Sequence, residues 1–327
     1  MPQIGDLLPD REAAHDRPAN VAGVMGVVLV TYNNETHIGP ALHALRAAAT
    51  GPMDVVVVDN ASADSTVAVV RRDHPGVRVL AQLENLGFAK ACNLAANTLE
   101  TELVLFLNPD TVVDEDALSI ATDAMLADPS IGILGGRTRY PDGGLNSTCC
   151  FGRPTLWSAL CEALGLNALG SGTTLFNPEH LGGWDRGDTR DVDVVTGCFL
   201  LIRRDVFEEV GGFDERFFLY SEDTDLSLRV RRSGRRCVHH HRVGLVHAGG
   251  GSDTVRSAKL VKVLAARAVY YRKHWTRPAI AAGTALLDAR VLTRLLASQL
   301  RGGPHRNHWQ QVWRQRAAWH QRRVSTA

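Results

Sequence analysis

Residues 24–60 read VMGVVLVTYNNETHIGPALHALRAAATGPMDVVVVDN, and this stretch decides the fold class. It opens on a near-continuous apolar run, the pattern of a strand buried on both faces. Ile38, Leu42 and Leu45 then recur at helical spacing, and the VVVV run that follows reads as a second buried strand ending at Asp59. The pattern continues outward from there. Residues 77–80 and the LVLFL run at 103–107 read as strands, residues 89–98 and 115–127 as helices, with Asp114 as a cap. Strand alternating with helix predicts a doubly wound α/β sheet with parallel strands, whose ligands sit beyond the strands' carboxyl ends. Polar clusters fall at three such ends: Thr31-Tyr32-Asn33, Asp59-Asn60 and Asn108-Pro109-Asp110.

Further along, residues 137–190 are Gly-rich and read as an irregular, partly mobile cover over the site. Order returns at 192–203 as a strand or strand pair, then as short helices at 205–210 and 221–232. From residue 257 to the end the spacing is helical. Three parts are expected: an N-terminal mobile tail over 1–22, an α/β domain over 23–255 and a C-terminal helical basic extension over 256–327.

The 327 residues carry a net charge of +1, which excludes a generally basic nucleic-acid binder and a highly charged disordered chain. That total is a cancellation. Eight arginines (290, 294, 301, 306, 314, 316, 322 and 323) and no acid follow Asp288, so residues 289–327 carry +8 and residues 1–288 carry −7. The opening MPQIGDLLPDREAAHDRP has no apolar core of a secretory leader, and no apolar run approaches the roughly 18–20 residues of a membrane span. The six cysteines (Cys92, Cys149, Cys150, Cys161, Cys198, Cys237) have no CxxC spacing and read as reduced core thiols of a cytoplasmic protein. A bridge between the adjacent Cys149 and Cys150 would be strained.

Candidate chemistry concentrates in a few places. Asp110, on a turn past a buried strand, suits a divalent cation, and equally suits plain turn formation. Glu222-Asp223-Thr224-Asp225 opens a helix behind Ser221: its acids favour the positive end of that helix, or one of them is a general base. His247 precedes the glycines of AGGGS and reads as a structural histidine or as part of a site. His239-His240-His241 resembles a metal tract, but consecutive side chains diverge. There is no GxxxxGK[ST] loop, no GxGxxG after the first strand and no GxSxG elbow.

Taken in order, VVLVTYNN, VVVVDNASADST, ENLGFAKACN, LFLNPDT, VTGCFLLIRRDVFEEVGGFDERFFLYSEDTDLSLR and VHAGGGS resemble the family 2 glycosyltransferases, in their rhamnosyltransferase-like branch. The resemblance covers residues 24–252. It implies a GT-A fold, a Rossmann-like nucleotide-binding mixed sheet with flanking helices, to which the C-terminal helical extension is added. It places Thr31, Asn33 and Asp59 on the nucleotide, with Asn85 and Gly87 around its diphosphate. Asp110 matches the last residue of the D-x-D motif, with Asn108 in place of the first Asp, and His247 completes the site of a Mg2+ or Mn2+ ion. Asp223 matches the general base of an inverting transfer, with Glu222 and Arg229 in support.

The resemblance also implies dTDP-L-rhamnose as donor, with a UDP-sugar as the alternative. The acceptor is a saccharide or a polyprenyl-linked saccharide of the cell surface. A catalytically silent nucleotide-sugar-binding protein is a further alternative, against which the intact acids count. Trp309, Trp313 and Trp319 among the arginines suggest peripheral contact of residues 289–327 with the inner face of the cell membrane. The competing expectation is that these tryptophans pack on the catalytic domain.

Overall fold

The computed structural model describes residues 23–249, 256–301 and 303–321. Strand β1 (Met25–Thr31) is buried along its whole length. Val27 and Leu29 face one helical layer and Val28 and Val30 the other, which is why no polar residue interrupts the run before Thr31. After it come α1 (Ile38–Ala48), β2 (Asp54–Asp59), α2 (Thr66–Asp73), β3 (Arg78–Ala81), α3 (Phe88–Ala96) and β4 (Leu103–Leu107). The strands β3-β2-β1-β4 lie side by side and parallel, as the alternation predicts.

Beyond β4 the sheet is mixed. β5 (Thr111–Val113), α4 (Ala117–Ala127), β6 (Ile131–Arg139), β7 (Leu145–Asn146) and β8 (Cys150–Phe151) follow in the chain. Then come α5 (Leu156–Leu164), α6 (Leu166–Leu169), β9 (Arg190–Asp191), β10 (Val194–Val195) and β11 (Phe199–Arg203). β11 inserts antiparallel between β4 and β6. After α7 (Arg204–Glu209) and α8 (Glu222–Arg232), β12 (Arg236–His247) pairs parallel with β6 and antiparallel with β5.

The region 137–190 holds more order than its glycines suggest. Thr155 and Ser158 form a capping box at the start of α5, and Gly165 ends that helix in the left-handed conformation. The tail expected over residues 1–22 lies outside the described residues, as do residues 250–255.

The last part is helical, as its spacing predicts: α9 (Arg256–His274), α10 (Arg277–Arg301), α11 (Gly303–Arg314) and α12 (Ala317–His320). These helices close a core of their own around Leu264, Ala268, Tyr271, Leu287, Val291, Val312 and Trp319. Trp319 is fully buried and its indole donates to Asp288 at 2.9 Å, while Trp309 and Trp313 pack partly against the same core. Trp319 thus fills the space between helices rather than facing outward, Trp309 and Trp313 are half-buried against the same core, and Arg306, Arg314 and Arg316 stay at the surface. No helix among the described residues is long and apolar enough to cross a membrane.

Candidate active site

Two cavities open at the carboxyl ends of β1 and β4. The first, about 270 Å3, is walled by Thr31, Asn34, Asn60, Asn85, Gly87 and Asn108, with Phe88, Phe218 and Tyr220 closing it. Asp110 and His247 stand on its wall, and α9 contributes Lys259 and Lys262. Local hydrogen bonds set this wall. Asn60 Nδ2 donates to the Gly87 carbonyl at 3.1 Å, and Asn85 Oδ1 accepts from the Gly87 N–H at 2.9 Å. Gly87 has φ +80°, and a Cβ there would sit 2.4 Å from the Phe218 carbonyl oxygen, so only glycine fits the turn.

The structure does not place Asn33 and Asp59 on the wall of this cavity. Asp59 is buried and accepts from Thr31 Oγ1 at 3.1 Å and from Ser62 Oγ at 2.5 Å. Asn33, at φ +55°, accepts from the Ala63 N–H at 2.8 Å. Both brace the loops that carry Asn34 and Asn60, which stand on the wall in their place. A polar residue at a strand end can either face the ligand or tie two strand ends together, and spacing does not separate the two.

Asp110 Oδ1 lies 3.3 Å from His247 Nε2, because β5 and β12 pair through Thr111 and His247. Burial raises the Asp110 carboxyl, but the hydrogen bond and charge of His247 outweigh it and hold the group below the ordinary carboxylate range. His247 Nδ1 is buried without a hydrogen-bond partner. A carboxylate and an imidazole converging on the cavity form a donor set that suits a divalent cation.

The second cavity, about 590 Å3, shares Phe88, Asn108, Tyr220, His247 and Lys259 with the first and is otherwise lined by Glu222, Asp223, Thr196 and the buried faces of α5, α9 and α10. Asp223 Oδ2 accepts from the Gly197 N–H at 3.3 Å, and Oδ1 from the Thr224 N–H at 2.6 Å. Burial raises its carboxyl, and these bonds only partly offset that. Glu222 is pushed further up, by burial and by the charge of Asp223, and its Oε2 has no partner. Burial and the nearness of the two carboxyls both disfavour a double negative charge on the pair, and the push is stronger on Glu222. Ser221 makes no side-chain cap to α8; it and Tyr220 adopt φ +64° and +72°. Two successive left-handed residues without glycine are strained, and they aim the start of α8 into the cavity.

The family model for glycosyl transferase family 2 matches residues 26–211. This chain belongs to that family. Over 236 residues, 68% of this chain and 76% of its relative, it is 31% identical to a Mycobacterium tuberculosis protein named N-acetylglucosaminyl-diphospho-decaprenol L-rhamnosyltransferase. Its fold resembles that of the mannosyltransferase PcManGT of Pyrobaculum calidifontis, solved with GDP-Man and Mn2+, at a TM-score of 0.54 and 20% identity over 93% of this chain and 89% of that one. It also resembles S. aureus TarS 1–349, solved with UDP-GlcNAc, at a TM-score of 0.51 and 19% identity over 88% and 78% of the two chains. The protein is a nucleotide-sugar glycosyltransferase of cell-surface glycan synthesis, with a GT-A fold.

Several residues of this glycosyltransferase's site escape sequence reading. Glu162 of α5 and Glu179 hold Arg267 of α9 between them, and Glu162 also pairs with Arg290 of α10. Burial raises the Glu162 carboxyl, but the charges of Arg267 and Arg290 override it and keep the group ionised. These four lie far apart in the chain, and only tertiary packing brings them to one wall. Arg229 reaches neither cavity. Its Nε donates to the fully buried Asp225 at 2.8 Å, and Asp225 also holds Lys273 at 2.6 Å and His274 at 2.7 Å. This cluster fastens α8 to α9, so the helix placed at the start of the 256–327 extension positions the helix that carries Asp223.

Proposed function

We propose that this glycosyltransferase moves L-rhamnose from dTDP-L-rhamnose, with inversion, to a hydroxyl of a lipid-linked saccharide. The observation that carries this reading is the shared wall between the two cavities. Asp110 stands on the donor side, Asp223 on the acceptor side, and Asn108, Tyr220, His247 and Lys259 between them. The similarity to the mycobacterial rhamnosyltransferase supports the sugar and the lipid-linked acceptor.

In this reading Thr31, Asn85, Gly87 and Asn108 embrace the nucleotide, while Asn33 and Asp59 hold the loops in place. The acceptor hydroxyl gives its proton to Asp223 as its oxygen bonds to the anomeric carbon. The bond from that carbon to the diphosphate breaks on the opposite face, and the nucleotide diphosphate leaves. Asp110 and His247 would hold a divalent cation, Mn2+ or Mg2+, whose chemistry is to offset charge on the departing diphosphate. Lys259 and Lys262 add positive charge on the same side. The acceptor wall of Glu162, Glu179, Arg267 and Arg290 is neutral in sum and offers both donors and acceptors to sugar hydroxyls.

The lipid portion has a surface to meet. On the outer faces of α5, α6 and α10, Trp157, Leu164, Leu169, Leu292 and Leu296 are exposed. Thr293 Oγ1 donates to the Ala163 carbonyl at 2.8 Å and brings the α10 leucines beside the end of α5. The inner faces of these two helices wall the acceptor cavity, so a polyprenyl chain or the bilayer surface is the occupant this face fits.

The test is to offer nucleotide sugars one at a time, with Mn2+ or Mg2+ and a polyprenyl-diphosphate saccharide, and to read nucleotide diphosphate release. Preferential release from dTDP-L-rhamnose supports the proposal. Preference for a UDP-sugar would replace the donor, and no release from any donor would leave a catalytically silent binder.

A further inference from the structure

The three histidines at 239–241 diverge as expected. His240 and His241 stack on each other at 5.7 Å between ring centroids, and only His239 turns inward, where it is fully buried. What it meets there is the cysteine pair: Cys149 Sγ lies 3.8 Å from Cys150 Sγ and 4.0 Å from His239 Nδ1. All three residues are buried, and their donor atoms lie within 4.8 Å of one another.

We infer that Cys149, Cys150 and His239 form a binding site for a thiophilic divalent cation such as Zn2+, separate from the Asp110–His247 site. Four observations carry this. First, the spacing fits: with Zn–S bonds of about 2.3 Å, two sulfurs in tetrahedral coordination lie about 3.8 Å apart, and sulfur and imidazole nitrogen about 3.6 Å. The sulfurs already stand 3.8 Å apart, Nδ1 is about 0.4 Å beyond the coordinated distance from Cys149 Sγ, and no pair of the three donor atoms is more than 4.8 Å apart. A disulfide would instead need the sulfurs to close to about 2.05 Å.

Second, the imidazole is oriented for coordination. His239 Nε2 lies 3.2 Å from the Arg186 carbonyl, to which it donates, so the lone pair on Nδ1 faces the thiols. Third, the surroundings favour thiolates. The Arg186 guanidinium is buried beside Cys150, and its Nε has no hydrogen-bond partner. A bound cation displaces the thiol protons and leaves two thiolates neutralised by a double positive charge. Fourth, a coordinated pair would brace the site. The Cys149 carbonyl accepts from Thr196 N and Oγ1, each at 3.1 Å, and the next residue, Gly197, holds Asp223.

The experiment uses the full chain, reduced and stripped with a chelator, then loaded with Cd2+ or Zn2+ in an excess of Mg2+ that competes at the Asp110–His247 site. Bound metal is counted after desalting, and cadmium–thiolate charge transfer is read in the ultraviolet. The expected result is one retained ion per chain with thiolate absorption. Both should be lost in Cys149→Ser and Cys150→Ser, affinity should fall about 10–100-fold in His239→Gln, and both should be unchanged in Asp110→Asn. Absence of the thiolate band from the wild-type chain, or its survival in folded Cys149→Ser, would overturn the assignment. The wild-type measurement stands even if a cysteine variant does not fold. Loss of the band in Asp110→Asn would also overturn it, by tying the thiol signal to the catalytic cation site.

Discussion

The two cavities of this glycosyltransferase meet at one wall but are assembled in opposite ways. The cavity we assign to the donor takes most of its wall from the ends of adjacent parallel strands and the loops that follow them. The acceptor cavity gathers Asn108, Glu162, Asp223, Arg267 and Arg290 from elements that span most of the chain. The first is stabilised by short-range hydrogen bonds between loops, such as Asn60 to Gly87, and the second by buried ion pairs between helices. A nucleotide grip can therefore be encoded locally, whereas an acceptor pocket depends on how the C-terminal helices dock.

That contrast can be broken by experiment. Asp223→Asn should lower kcat by about 10²–10⁴-fold with donor affinity unchanged, since a single positioned base contributes that much. Steady-state turnover beside calorimetric donor titration checks it, and normal turnover would remove Asp223 from the chemistry. Asp225→Ala strips one buried carboxylate from Arg229, Lys273 and His274, which should cost about 3–5 kcal/mol of stability. Chemical denaturation reads that loss. The sign with pH follows from the depressed carboxyl of Asp225, where burial is outweighed by His274, Arg229 and Lys273. Its stabilisation is present above the unfolded value near ~3.9 and is lost as the pH falls below it.

Two smaller effects sharpen the donor side and the base pair. Asp110→Asn should weaken donor binding in Mn2+ by about 10–100-fold, the worth of one charged contact, and should leave binding in chelator unchanged. Equal affinities with and without the cation in the native protein would contradict that role. Glu222→Gln should hold turnover within about tenfold, because burial and the charge of Asp223 disfavour the ionised form of Glu222. In both proteins the acid limb of kcat/KM should lie above the ordinary aspartate value of ~3.9, activity rising with pH as Asp223 ionises. A pH–rate profile tests both statements at once.

The legible part of the structure was the part with a period. The apolar run ahead of Thr31, the VVVV run and LVLFL have no reading except strands buried on both faces, so β1, β2 and β4 and their polar ends could be found. The helices α9 and α10 were visible for the same reason. The antiparallel entry of β11 was not, because a strand's apolar pattern is the same in either direction. Asn33 and Asp59 illustrate a second limit, since bracing and binding use the same polar groups. The tryptophans of the basic segment illustrate a third: four-residue spacing places Trp309 and Trp313 on one helical face but does not say what covers it. His239 could be separated from its neighbours by strand alternation, yet its meeting with Cys149 and Cys150 depends on the docking of β8 near β12.

The insertion of β11 has a consequence for how the chain comes into being. During synthesis, β4 emerges with one hydrogen-bonding edge facing β1 and the other bare, and β6 follows before any strand exists to join them. At about 5–20 residues per second, the roughly 90 residues between Leu107 and Phe199 take about 5–20 s to appear. Throughout that interval the nascent sheet carries an open apolar edge, and the acids at 222–223 are still inside the ribosome. The cavity we assign to the nucleotide can thus begin to form on the ribosome before Asp223 has emerged, and the edge beside it is where a stalled or truncated chain would aggregate.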